Sequence, residues 1–151
     1  MQIAIFKSVV FSLGCRIKVI EEIVDYYLQW LNYEMAKKAI DYALVRFPYS
    51  GIIKIRQAQY LSSQHFTREA LSILNEVEQL EYNNFELYMA RGAIYSQMGL
   101  TDQAIENFKK AAENSEDTDE VYLAIAFEFE NSGKFADAIF YLKQAIAENP
   151  A

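Results

Sequence analysis

Helix breakers are scarce in this chain: its 151 residues include 2 Pro and 5 Gly. Proline removes a backbone donor and glycine loses the most chain entropy on ordering, so a chain poor in both suits a mostly helical fold. Reactive side chains are scarcer still. The single cysteine, Cys15, excludes an internal disulfide and is compatible with a reducing, cytoplasmic compartment. The single histidine, His65, lies far from it in sequence, whereas a zinc site needs several such ligands. No glycine-rich phosphate loop occurs, and no nucleophile stands near a base. Glu128 and Glu130 are two apart in a helical pattern, so they point in different directions and make a poor acid/base pair. The acidic run 116–120 lacks the glycine and the alternating ligands of a calcium loop and reads as a solvated linker. These absences leave no catalytic residue, no cofactor and no metal ligand to name, and the chain is expected not to be an enzyme. No apolar run reaches the length of a transmembrane helix, so no membrane partner is expected. Cations are outnumbered, 14 Lys and Arg against 21 Asp and Glu, and the net charge of −7 disfavours nucleic acid as a partner.

Apolar and aromatic surface is what the chain has in quantity. Hydrophobic residues make up 52%, with 11 Tyr and 10 Phe, too apolar for disorder and enough for one domain with a core. The stretch from Tyr88 to Ala111 shows how this surface is arranged. It spells two short helices around Gly99-Leu100-Thr101-Asp102. Gly92 and Ala104 fall where two helices would cross closely, and Tyr95 and Phe108 fall one turn further on, where a gap needs filling. Shifted by thirty-four residues, the pattern returns along the chain. The Ala104 slot holds Ala36, Ala70 and Ala138. The Tyr95 slot holds Tyr27, Leu61 and Phe129, the Phe108 slot Ile40, Leu74 and Leu142, and the Ala111 slot Ala43, Val77 and Ala145. Gly99 recurs as Gly133 and is replaced by Leu31 and His65, which reads His65 as a turn residue.

This spacing resembles the tetratricopeptide repeat (TPR), with repeats at 17–50, 51–84, 85–118 and 119–151. The resemblance implies an all-α fold, a right-handed superhelix of antiparallel helix pairs, in a domain covering 17–151. Each repeat would contribute a helix A and a helix B, with the first pair near 18–30 and 34–46. Trp30 and Leu31 occupy the first turn, which predicts a packed turn. Arg46 suits the carbonyl end of its helix, Pro48 stops it, and Asp117 or Thr118 offers an N-cap before the fourth repeat.

Residues 1–16 form an N-terminal extension. Ile3, Phe6, Val10 and Leu13 fall at helical spacing, which suggests an orphan helix B ending at Gly14 and capping the array. Gln2 departs from the alanine slot. A second reading is a lipoprotein signal ending at Cys15, but Ser12 and the position of Lys7 fit it poorly. A third is that these residues are not the natural start of the protein.

Function is then expected from the surface the repeats build. In proteins resembling this family, a second stripe on each helix A lines the concave face and grips peptides or helices. Here that stripe places Lys18, Glu21, Asp25 and Gln29 in repeat 1, then Ile52, Ile55, Gln59 and Ser62. Repeat 3 adds Glu86, Met89, Ala93, Ser96 and Gln97, and repeat 4 Glu120, Leu123, Phe127, Glu130 and Asn131. The expected partner is a protein: a peptide or amphipathic helix with an apolar anchor and basic flanks. One TPR subfamily clamps the C-terminal carboxylate of chaperones with Lys, Asn and Arg on this stripe. Glu21 and Asp25 in the matching slots would repel a carboxylate, and Arg56 and Arg91 lie off the stripe.

An alternative is a structural or assembly role. The last helix B carries Phe140 and Tyr141 where earlier repeats have Lys38, Ser72, Glu106 and Asn107. A terminal repeat should present a polar outer face. This edge is therefore expected to be covered, by another copy in a homodimer or by further residues of a longer chain.

Overall fold

A computed structural model of the chain describes residues 17–80, 84–115 and 118–148. The expected helix over residues 1–13, Cys15, and the Asp117 cap lie outside the described residues. The described residues form eight helices and no strand. They are α1 (Ile17–Gln29), α2 (Tyr33–Arg46), α3 (Gly51–Ser63), α4 (Thr67–Gln79), α5 (Phe85–Gln97), α6 (Thr101–Glu113), α7 (Asp119–Asn131) and α8 (Phe135–Glu148). Odd-numbered helices are the A helices and even-numbered ones the B helices.

Each helix A ends in the same way. Leu31, His65, Gly99 and Gly133 all take the left-handed conformation, with φ of 55°, 66°, 73° and 74°. The amide of the next residue reaches five residues back in every repeat: Asn32 to Tyr27, Phe66 to Leu61, Leu100 to Tyr95 and Lys134 to Phe129, at 2.8–2.9 Å. The amide of the left-handed residue itself donates three residues back, as Gly99 does to Ser96 at 2.9 Å. This pair of bonds is the Schellman stop, which satisfies two helix-end carbonyls. Side chains cap several N-termini: Asn32, Ser50 and Asn84 accept from the amides of Met35, Ile53 and Leu87. Thr118 stands at the cap position of α7 without a side-chain bond. The first turn differs from expectation, because Trp30 and Leu31 are both exposed. The left-handed turn throws residue 31 outward whatever its side chain.

Within each repeat, the alanine of helix B marks the crossing. Ala36, Ala70, Ala104 and Ala138 are all buried. At α5–α6 the approach is so close that a Cβ on Gly92 would lie 2.3 Å from the Phe108 ring. Successive repeats then close one another's cores. Ile53 of repeat 2 completes the cluster of Ile20, Val24, Met35 and Ile40. Leu87, Ala90 and Ile94 of repeat 3 complete that of Ile55, Ala58, Leu74 and Val77. Val121 and Ile125 of repeat 4 complete that of Ala104, Ile105 and Phe108. The A helices α1, α3 and α5 also touch in sequence, which lines their outer faces up along one side of the stack.

Candidate functional site

That shared side carries a cleft of about 460 Å³. Gln59 and Ser62 of α3, Met89, Ala93 and Gln97 of α5, and Glu120 of α7 line it, so three repeats contribute. Of the residues expected on the concave face, Gln59, Ser62, Met89, Ala93, Gln97 and Glu120 meet here. Leu123 and Phe127, on the same helix as Glu120, are 50% and 58% exposed. Glu86, in the first turn of α5, is half-buried. Ile52 instead lines a separate apolar hollow of about 520 Å³ with Ile17, Phe47, Pro48 and Tyr49.

Ile55 departs from expectation. It is fully buried, packed into the cluster of Ala58, Leu74 and Leu87. α3 is flanked by α1 and α5, which close over Ile55, whereas Met89 in the same slot of α5 lines the cleft and Leu123 on α7 is half-exposed. Ile55 therefore presents no surface to the cleft.

The charges on this face are also arranged differently from the stripe read in the sequence. Arg56 reaches across from α3 to both acids of α1. Its Nε lies 2.6 Å from Asp25 Oδ1, and its terminal nitrogens donate to Glu21 Oε1 at 3.0 Å, Asp25 Oδ2 at 3.1 Å and Gln59 Oε1 at 3.3 Å. Burial holds the Glu21 carboxyl above the usual carboxylate range, against the pull of Arg56. Asp25 is raised for the same reason. The expectation that Arg56 stands apart from the stripe is thus corrected, and Glu21 and Asp25 are already paired. Glu86, Glu120 and Glu130 form no ion pair among the described residues. The free negative charge of this face therefore lies in repeats 3 and 4. The sequence held one signal for the Arg56 knot: its partners sit 35 and 31 residues upstream, near one repeat period.

Arg91 is buried and turned away from the cleft. Its guanidinium donates to the Leu74 carbonyl, Asn75 Oδ1 and Glu78 Oε2, tying α5 to α4. The Arg91 hydrogen bond holds the Glu78 carboxyl below its usual range. Beside the cleft, Ser62 Oγ lies 2.5 Å from Gln97 Oε1, and Gln97 Nε2 donates to the Ser62 carbonyl at 3.1 Å. Gln97 Nε2 also lies 3.3 Å from His65 Nδ1. Glu128 is buried and accepts from Ser96 Oγ, whereas Glu130 is exposed, so the two do face different ways.

At the last helix, Phe140 is exposed as expected, but Tyr141 is not an edge residue. Its ring stacks on Phe129 at 5.6 Å and lies 6.1 Å from Tyr122, filling the core of its own repeat. The uncovered edge of α8 consists instead of Phe135, Ile139, Leu142 and Ile146, beside Phe140.

No helix among the described residues is long and apolar enough to cross a membrane. The family model described as "Tetratricopeptide repeat" matches residues 85–118 and 119–151. No curated protein matches the sequence. Among solved structures, the chain is similar to TTC0263, a thermophilic TPR protein in Thermus thermophilus. The TM-score is 0.83 at 18% identity, over 97% of this chain and 81% of that one. It is also similar to MamA, with TM-score 0.68 and 19% identity, over 95% of this chain and 84% of that one. A third is a chain in the structure of Naa15/Naa10 bound to HypK-THB, with TM-score 0.76 and 18% identity. There 88% of this chain matches, across 20% of that one. Two repeats match the family model, a left-handed turn recurs at the same slot of all four, and nearly the whole chain shares its fold with a solved TPR protein: the chain has the tetratricopeptide-repeat fold.

Proposed function

We propose that the chain is a non-catalytic, cytoplasmic protein-interaction module whose concave face binds a peptide or amphipathic helix. TPR repeats are generally interaction or scaffold modules, which gives the coarse reading. The observation that carries the finer one is the cleft between α3, α5 and α7. Met89 and Ala93 give it an apolar lining and Glu120 an acidic one, and Phe127 and Leu123 stand exposed on α7. An apolar anchor of the partner would sit on Met89 and Phe127, and methionine adapts to varied shapes. Basic flanks would meet Glu86 and Glu120, since Arg56 already occupies Glu21 and Asp25.

The test uses candidate partner peptides in solution. Met89→Glu and Phe127→Glu are expected to abolish binding while leaving the helical spectrum and melting temperature intact. Raising salt should weaken binding, because the acids are exposed. A partner that binds both variants with unchanged salt response would overturn the groove reading.

The exposed edge of α8 favours a second reading, in which the repeats assemble with another copy. Four large apolar side chains in one stripe are unusual for a face that meets only water. A pair formed through this helix is the simplest form of that reading, and concentration-dependent mass tests it.

A further inference from the structure

The stripe on α8 has a counterpart at the other end of the array. Phe135, Ile139, Leu142 and Ile146 are spaced by four, three and four, so they share one face of the helix. Each is 42–67% exposed. On α1, Val19, Ile23, Tyr26 and Trp30 repeat that spacing, with Trp30 just past the helix end. In later repeats the equivalents of Val19, and those of Tyr26 in repeats 3 and 4, are covered by the preceding repeat, whereas the Trp30 slot stays open, with Met98 39% exposed. Ile53, Leu87 and Val121, in the slot of Val19, are fully buried, and Ile94 and Glu128, in the slot of Tyr26, are nearly so. Val19 and Ile23 are only half-buried, and Tyr26 and Trp30 are 57% and 68% exposed. So α8 offers a face shaped to receive a helix A, and α1 leaves exposed Tyr26, whose slot is closed in repeats 3 and 4.

We propose that the α8 stripe docks on α1 of a second copy, so that copies stack head to tail. This rests on the assembly reading above and states its geometry. The contact would continue the α6–α7 interface, where Ile105 and Phe108 meet Val121 and Ile125, by one more repeat. Charge selects it over a two-fold pairing. Two α8 faces would bring together two copies of a repeat that has six acids and two bases. Stacking on repeat 1 meets five acids and four bases, and Glu22 borders the α1 stripe as Lys143 borders that of α8. Because two different surfaces meet, the contact propagates into an open chain unless the rotation closes a ring.

The experiment is complementation between two variants changed at exposed positions, Tyr26→Lys with Trp30→Lys, and Leu142→Lys with Ile146→Lys. Circular dichroism checks that each remains folded, and sedimentation velocity at low salt follows mass over a concentration series. Wild type is expected to grow beyond a dimer, and each variant alone to associate at least tenfold more weakly. An equimolar mixture should form a heterodimer, since each variant supplies the edge the other lacks. If the α1 variant still pairs with itself and the mixture gives no heterodimer, head-to-tail stacking is overturned while assembly through α8 stands. A wild type that stays monomeric at every concentration overturns both, and leaves the groove proposal to its own test.

Discussion

Helices α6 and α8 occupy the same place in successive repeats and fare very differently. Ile105 and Phe108 on α6 are 7% and 4% exposed; Ile139 and Leu142, one repeat later, are 53% and 42% exposed. The side chains are similar in kind, so the residue does not decide its own burial. α7 lies over α6, and no described helix lies over α8. In a repeat array, each unit's core is completed by its neighbour, and stability is distributed accordingly.

Truncating the two helices should give the largest contrast. Phe108→Ala removes a ring wedged against Gly92 and is expected to cost about 3–5 kcal/mol, the usual range for a buried aromatic. Leu142→Ala should cost less than about 1 kcal/mol, because much of that side chain is already in water. Denaturant titration of the monomer checks both. A Leu142→Ala loss as large as that of Phe108→Ala would mean that α8 is covered in solution.

The crossings inside repeats should show no such contrast. Ala104 and Ala138 are both buried against their own helix A. Ala104→Leu and Ala138→Leu should each cost roughly 1–3 kcal/mol from overpacking, read as similar drops in melting temperature. Equal losses would confine the difference between α6 and α8 to the outer face. A harmless Ala138→Leu would show that repeat 4 is loose throughout.

The turns offer a smaller effect, of opposite sign in the first two repeats and in the third. Leu31 and His65 adopt the left-handed conformation that Gly99 and Gly133 adopt without a Cβ penalty. Leu31→Gly and His65→Gly should raise stability by about 0.5–1 kcal/mol, and Gly99→Ala should lower it by about 1 kcal/mol. Chemical denaturation of the three single variants tests this. A Leu31→Gly variant that loses stability would show that the exposed leucine makes a contact that outweighs its backbone strain.

The smallest expected effect lies in the two arginine knots, whose pH responses have opposite signs. Glu78 is held below its ordinary value by Arg91, so its contribution is present at neutral pH and lost as pH falls through its folded pKa. Glu21 and Asp25 are held above theirs by burial, so their contribution is full in acid and lost as pH rises through their folded values. Stability profiles from neutral pH into the carboxylate range should separate them. The gap between wild type and Glu78→Gln should narrow on acidification. Wild type compared with Glu21→Gln plus Asp25→Asn should gain relative stability over the same acid limb. Profiles that move in the same direction would contradict the difference between the two seams.

Much of the fold is legible in the sequence because a repeat is read by its period. The invariant alanines, the Gly92–Phe108 wedge and His65 in the glycine slot all follow from local rules applied four times. The groove is legible only in part. Met89 and Ala93 fall where the stripe places them, but Ile55 does not, because the flanking helices decide which residue of a stripe reaches the surface. Arg56 escapes for a related reason: a long side chain one position off the stripe can still reach across to the neighbouring helix. Tyr141 reads as an edge residue from its slot alone, and ring stacking on Phe129 draws it inward.

By itself the sequence determined the helices, their stops and the small-to-large alternation at each crossing, since these depend on residues within one thirty-four-residue unit. Tertiary structure alone decided which apolar residues are covered, which acids are neutralised and where the cleft opens. Those properties belong to contacts between units, and a residue's letter does not say whether another helix lies over it.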